Sequence, residues 1–218
     1  MKSMRMLRDN QGMVFIVDIS GYSQFIRNVD PTDGLTIIRR LLSGIIACNH
    51  LSFRVSEIGG DAILFYRMRT PPSIEEILRQ FVQMRNAFKR ILRLYQLKLP
   101  EAGQLELKAV AHYGHMEQFK IDRFNKLYGN ILVDAHRLLK NSIPSNAYVL
   151  LSMDYLEQMG GFPLDYNTTC GTYQCDIYDV GSLCYRYFPF DEKGMPQDLS
   201  HHTQIKYARA NLRENMSV

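Results

Sequence analysis

Two aspartates follow apolar or glycine-rich segments at points where a strand is expected to meet a turn. Asp18 comes directly after the apolar run 13–17, and Asp61 follows the pair Gly59-Gly60. Carboxylates on neighbouring strands supply the oxygen ligands that Mg²⁺ and Mn²⁺ prefer. The spacing therefore predicts a divalent-cation site formed by Asp18 and Asp61. The alternative is that each carboxylate caps backbone amides in its own turn.

The residues after Asp18 have the composition of a phosphate-binding turn. They are Ser20, Gly21, Tyr22 and Ser23. The first backbone amides of a helix have no partner within that helix, and they bind phosphate readily. We therefore expect this segment to hold phosphate beside the cation site.

Hydrophobic patterning predicts the elements that position these residues. The expected strands are 13–17, 51–55, 62–66, 105–113, 116–121, 148–152, 172–178 and 183–189. The expected helices are 22–27, one capped by Thr32, one capped by Ser73 and ending at Pro100, 132–140 and 154–159. Strand 116–121 is expected to pair with 105–113 through a turn at Gly114. This order is typical of an α+β fold in which helices cover a mostly antiparallel sheet.

Composition is that of an ordinary globular protein. The chain has 218 residues, of which 46% are hydrophobic and 22% are charged, which excludes a disordered protein. A net charge of +4 is too small to indicate nucleic-acid binding, and no segment resembles a signal peptide or a membrane span. We expect one domain over 1–190 and a polar C-terminal tail over 191–218.

The cysteines predict a reducing environment. They are Cys48, Cys170, Cys175 and Cys184. Their irregular spacing fits neither a disulfide scaffold nor a zinc site. We therefore expect free thiols and a cytoplasmic location.

Four segments resemble, in order, the motifs of class III nucleotidyl cyclases. They are Asp18-Ile19-Ser20-Gly21-Tyr22-Ser23, Glu57-Ile58-Gly59-Gly60-Asp61, the strand 108–114 with its His-x-Gly ending, and Tyr128-Gly129 followed by Ala135-His136-Arg137-Leu138. Together they resemble the adenylate/guanylate cyclase catalytic domain, in a bacterial cyclase-like subfamily of unestablished function. The resemblance implies a ferredoxin-like nucleotide cyclase fold.

The resemblance also implies a reaction and a homodimer. Asp18, Ile19 and Asp61 would hold two Mg²⁺ or Mn²⁺ ions at each site, where a nucleoside triphosphate becomes a 3′,5′-cyclic nucleotide and pyrophosphate. Arg137 would stabilise charge that develops on the phosphoryl oxygens. In the family the metal ligands come from one chain and the arginine from the other.

Three features depart from the family pattern or leave the role of a residue open. Val133 stands where the family has a ribose-orienting Asn, and Asp134 projects about 100° away around the helix. Segment 166–190 lacks the family's triphosphate-binding Lys. Glu57 and Lys126 occupy the base-binding positions, where they would either recognise a base or form a salt bridge across an unused pocket.

Two functions therefore remain open from the sequence. The first is a dimeric, metal-dependent nucleotidyl cyclase whose partner molecules are a nucleoside triphosphate and a second copy of the chain. The alternative is a catalytically inactive cyclase-fold protein that binds a nucleotide or signals by dimerisation. Neither function predicts binding to nucleic acid or a membrane.

Overall fold

The computed structural model describes residues 10–160 and 171–190, so the predicted tail lies outside the described residues. The strands are β1 Gln11–Ser20, β2 Arg54–Gly59, β3 Ala62–Met68, β4 Glu106–His115, β5 Glu117–Ile121, β6 Phe124–Tyr128, β7 Tyr148–Ser152, β8 Thr172–Tyr178 and β9 Gly181–Pro189. The α-helices are α1 Tyr22–Asn28, α2 Pro31–Ala47, α3 Ile74–Arg93, α4 Asn130–Leu138 and α5 Met153–Gln158. None of these helices is long and apolar enough to cross a membrane.

Seven strands form one sheet in the order β2-β3-β1-β4-β7-β9-β8. Every neighbouring pair is antiparallel except β4 and β7, which run parallel. Strand β1 pairs with β3 on one side and with β4 on the other. It is apolar almost throughout, because its side chains are buried on both faces of the sheet. The predicted α+β fold with a mostly antiparallel sheet is confirmed.

The two faces of the sheet are covered by different helices. On one face, Phe15 and Phe65 belong to a core that includes Leu41 of α2 and Phe81 of α3. On the other face, the buried residues of α4 pack against β1 and β3, and the contacting set is Val14, Ile16, Leu64, Ile131 and Ala135. The central strands therefore lie between two apolar layers, which fixes their register against slippage.

Helix starts follow local capping chemistry. Ser73 and Glu76 form the capping box that begins α3, with each side chain bound to the other residue's backbone amide. The prediction that Thr32 caps α2 is wrong. Asp30 caps the helix, because its carboxylate accepts from the Thr32 amide at 2.8 Å and Pro31 fits the first helical position.

Two strand predictions need correction. Segment 116–121 does not pair with β4; β5 pairs instead with β6, a strand that was not predicted from the sequence. Neither β5 nor β6 has a buried residue, so β6 lacks the hydrophobic alternation that marks a strand. The strand expected at 51–55 begins only at Arg54, since Ser52 has the left-handed φ of 55° and breaks the extended backbone.

The hairpin of β8 and β9 contains a disulfide. Cys175 and Cys184 are directly opposite in the register of the two strands, and their sulfurs are bonded. The expectation of free thiols is therefore wrong for this pair, and its argument for a reducing compartment no longer holds. Cys48 is a free thiol, and Cys170 lies outside the described residues.

Asp176 joins the β8–β9 hairpin to the loop after α4. Its carboxylate accepts hydrogen bonds from the Ser142 amide at 2.9 Å and from the Tyr185 hydroxyl at 2.6 Å, and the Gln174 side chain adds another at 3.0 Å. Burial opposes ionisation, but these hydrogen bonds outweigh it and lower the pKa of Asp176 to about 2. The ionised carboxylate thus stabilises the folded state.

We expect Asp176→Asn to lower the free energy of unfolding by about 1–3 kcal/mol at neutral pH, because hydrogen bonds to a charged acceptor are lost or weakened. The pKa is lower in the folded state than in the unfolded chain, so the contribution is present above about pH 4 and is lost as pH falls towards about 2. Urea unfolding of both proteins across this range should show their difference shrinking. A difference that stays constant down to the lowest pH would contradict this account.

Candidate active site

Asp18 and Asp61 lie at the ends of two neighbouring strands. Asp18 of β1 is opposite Ala62 of β3, the residue that follows Asp61. The Ile19 amide donates to the Asp61 carbonyl oxygen at 3.2 Å and joins the two strand ends. The structure therefore brings together the two aspartates that the sequence spacing singled out. Their role as metal ligands stays a prediction.

Lys108 is a further charged residue at this place. It is opposite Asp18 on β4, and its Nζ lies 3.1 Å from Asp18 Oδ2. Both side chains are mostly buried, at 20% and 15% exposure. Lys108 Nζ also donates to the Leu139 carbonyl oxygen at the end of α4, at 3.5 Å. The sequence pattern does not indicate this ion pair, because only the strand register places Lys108 beside Asp18.

The electrostatics at Asp61 are those of two crowded carboxylates. Burial and then the negative charge of Asp18 raise the pKa of Asp61, while a backbone hydrogen bond and Lys108 act in the opposite direction. A positive charge placed between two such carboxylates relieves their repulsion. The pair is therefore suited to hold a cation.

The donor chemistry fits a hard divalent cation. Across the described ranges, no group of three or more His, Cys, Asp and Glu side chains is arranged to hold a metal. The donors here are the carboxylates of Asp18 and Asp61 and the backbone carbonyl oxygen of Ile19, the residue after Asp18. Mg²⁺ binds through few protein carboxylates and keeps several waters and substrate phosphates as ligands. The residues present thus fit Mg²⁺ or Mn²⁺.

The predicted phosphate-binding turn directly follows the end of β1. Gly21 has φ of 85°, and a Cβ there would lie 3.3 Å from the Gln104 carbonyl oxygen, so a larger residue would be strained. No described side chain caps the first amides of α1. Ser20 is buried, Tyr22 is half-buried and Ser23 is exposed. The structure places these residues beside Asp18, and phosphate binding stays a prediction.

Glu57 and Lys126 meet across β2 and β6. Lys126 Nζ lies 3.4 Å from Glu57 Oε2, and the two side chains are about half exposed, at 47% and 54%. The salt bridge that the sequence offered as one alternative is therefore present. Recognition of a base by the same two residues stays a prediction.

Arg137 on α4 contacts an acidic residue of its own chain. Its guanidinium donates to Asp179 Oδ2 at 2.5 Å, and Asp179 lies in the turn between β8 and β9. Its Nε is buried without a hydrogen-bond partner among the residues described. Val133 lies one helical turn earlier on the same face, and 46% of it is exposed.

Asp134 faces the sheet instead of sharing the exposed side of Val133. Its Oδ2 lies 3.8 Å from Nε2 of His112, a buried residue whose Nδ1 is 2.8 Å from the Ser152 hydroxyl. Burial lowers the pKa of His112, and the charges of Asp154 and Asp134 act against that shift. Asp134 therefore does not replace the Asn that the family has at position 133.

Comparison with known proteins gives a family and a fold. The profile of the family described as "Protein of unknown function (DUF2652)" matches residues 38–148. No curated protein matches the sequence significantly.

Solved cyclase domains share the architecture. The adenylyl cyclase CyaB from P. aeruginosa has 13% identity and a TM-score of 0.60, covering 84% of this chain and 96% of that chain. The guanylyl cyclase Cya2 has 14% identity and a TM-score of 0.65, covering 88% and 97%. The guanylate cyclase domain of RhGC from Catenaria anguillulae, solved in complex with GTP, has 14% identity and a TM-score of 0.51, covering 82% and 96%.

At such low identities the similarity concerns the fold, and it agrees with the resemblance that the four sequence motifs indicate. The family profile covers half of the chain. The chain therefore belongs to the DUF2652 family, and its fold is that of the class III nucleotidyl cyclase catalytic domains.

Proposed function

We propose that the chain binds a nucleoside triphosphate with Mg²⁺ or Mn²⁺ at Asp18 and Asp61 and converts it to a 3′,5′-cyclic nucleotide and pyrophosphate. The observation that carries this proposal is the pair of adjacent carboxylates at the strand ends of a cyclase fold. The raised pKa of Asp61 supports it, because burial and the neighbouring carboxylate both favour a bound positive charge.

The residues of this site would bind and orient the triphosphate. Asp18, Ile19 and Asp61 would hold the cations, which supply positive charge to the phosphate oxygens and to the attacking hydroxyl. Lys108 anchors the Asp18 carboxylate through its ion pair. The backbone amides of 20–23 would donate to phosphate oxygens at the start of α1.

In the reaction, the ribose 3′ hydroxyl loses its proton to solvent water and its oxygen forms a bond to the α-phosphorus, while the bond from that phosphorus to the leaving pyrophosphate breaks. Negative charge develops on the phosphoryl oxygens in the transition state. The planar guanidinium of Arg137 is suited to this charge, since it can donate two parallel hydrogen bonds to phosphate. We assign Arg137 this catalytic role.

A homodimer would complete the site. An apolar patch lies beside the Glu57–Lys126 pair, on the face of the β5–β6 hairpin that carries Lys126. Its members and their exposures are Phe119 43%, Ile121 60%, Phe124 55% and Tyr128 68%. Clustered exposed side chains of this size usually mark an interaction surface. We propose that a second copy covers the patch, buries more than about 1,000 Å² and contributes its Arg137.

A second candidate function is nucleotide binding without turnover. Two observations favour it: Val133 offers no hydrogen bond where the family has Asn, and Arg137 is already paired with Asp179. Binding and turnover therefore have to be measured separately.

We expect Asp18→Asn and Asp61→Asn each to weaken Mn²⁺-dependent nucleotide binding. Each substitution keeps the shape of the side chain and removes one charge of the cation site. The affinity for the nucleotide should fall at least about tenfold to a hundredfold. A fall of that size is typical when a residue that only hydrogen-bonds to a metal ligand is removed. Calorimetric titration with a non-hydrolysable triphosphate, with and without Mn²⁺, measures it.

The matched control for these variants is Asp33→Asn. Asp33 is exposed in the first turn of α2, outside both the proposed site and the apolar patch. This variant should bind nucleotide as the wild type does. Unchanged metal-dependent binding in both site variants would contradict the assignment of Asp18 and Asp61.

We expect Asp179→Asn to raise turnover, because it removes the charge that pairs with Arg137. An ion pair of this exposure contributes about 0.2–1 kcal/mol, so the increase should be at most about fivefold. Steady-state assays of the single variants and of the double variant Asp179→Asn/Arg137→Ala measure the coupling. In the Arg137→Ala background the Asp179 substitution should have no effect, and an equal increase there would show that Asp179 acts elsewhere.

A further inference from the structure

A cleft opens far from the proposed active site. It lies at the other end of β3 from Asp61 and has a volume of about 610 Å³. The register of β1 with β3 runs from Asp18 opposite Ala62 to Gly12 opposite Met68, which lines the cleft. Six residues of extended strand separate these two positions by about 20 Å. The cleft is therefore distinct from the site at Asp18 and Asp61.

The cleft has a strongly basic lining. Arg54, Arg67 and Arg69 line it, and Glu117 is the single acidic residue among them. No described carboxylate lies within salt-bridge distance of Arg54 or Arg69. Arg67 donates to the Leu51 carbonyl oxygen at 3.5 Å. Two arginines thus line this cleft without a neutralising partner in the described part of the chain.

The backbone around the cleft is held in an unfavourable conformation at two lining positions. Ser52 has φ of 55° and Arg69 has φ of 69°, in the left-handed region that residues other than glycine rarely adopt. The Arg69 amide donates to the Gln11 carbonyl oxygen at 2.8 Å, which holds this conformation. Strained residues of this kind concentrate at functional sites.

The cleft also has apolar and aromatic lining residues. Tyr66 and Met68 are half-buried, while Met116 is fully buried and only supports them. A volume of about 610 Å³ lies within the range of small-molecule sites, and it leaves room for an organic group beside a phosphate. Arginine binds phosphate through paired hydrogen bonds, and an apolar lining favours a ring or hydrocarbon body. Together these features define the chemistry of the ligand.

We propose that this cleft binds a phosphorylated organic molecule of nucleotide size, with its phosphate on Arg54 and Arg69 and its apolar or planar part over Tyr66 and Met68. Binding needs no divalent cation, since the arginines supply the positive charge. The proposal does not depend on the proposed cyclase activity, because it uses neither the aspartates nor Arg137.

The test is calorimetric titration of the full chain with AMP, GMP and inorganic phosphate in EDTA, which removes cation-dependent binding at Asp18 and Asp61. We expect saturable binding of at least one monophosphate, tighter than that of inorganic phosphate, and weaker at high salt. The variant Arg54→Gln/Arg69→Gln should weaken that binding at least tenfold while its thermal unfolding stays cooperative.

Two control variants identify the site. Arg90→Gln/Arg93→Gln removes the same charge from two exposed arginines of α3 outside the cleft and should bind normally. Asp18→Asn/Asp61→Asn removes the proposed active site and should also bind normally. Any of three results would overturn the proposal. The wild type would show no saturable binding of AMP or GMP at millimolar concentration, or either control variant would lose as much affinity as the Arg54/Arg69 variant. The third is that inorganic phosphate would bind more tightly than either monophosphate.

Discussion

The pairing of β1 with both of its neighbours is the constraint on which the rest of the structure depends. Because β1 is buried on both faces, its register against β3 and β4 is fixed by packing. That register places Asp18 beside the strand end that carries Asp61 and opposite Lys108. A slip of one residue would turn Asp18 to the other face of the sheet. The charge chemistry of the site is thus a consequence of apolar packing.

Sequence patterning predicted the buried elements and failed where burial gives no signal. The strand around Asp18 and the capping box at Ser73 follow from apolar runs and local capping rules. The exposed hairpin of β5 and β6 lacks a buried side, so its second strand was missed. Motif spacing singled out the two aspartates, whereas the ion pair of Arg137 with Asp179 joins elements 42 residues apart and leaves no local pattern.

The charged groups of the fold are arranged differently at its two ends. Near Asp18 and Asp61, carboxylates are partly balanced by Lys108, and Arg137 is held by an acidic turn of its own chain. At the far end of β3, Arg54 and Arg69 line a cleft without such partners. One end thus favours a bound cation and the other a bound anion. A triphosphate with its metal and a phosphorylated organic molecule are the corresponding ligands that we propose.

Turnover of a nucleotide at this site is tested most directly by product analysis with each of the four ribonucleoside triphosphates and Mn²⁺. Val133→Asn belongs in the same assay, because position 133 is exposed and accepts Asn without loss of core packing. We predict cyclic nucleotide and pyrophosphate in equal amounts from at least one triphosphate. We also predict a rate up to about a hundredfold higher in the variant, since one oriented hydrogen bond contributes about 1–3 kcal/mol. A folded, nucleotide-binding Val133→Asn protein that forms no cyclic product from any triphosphate would contradict the proposed turnover.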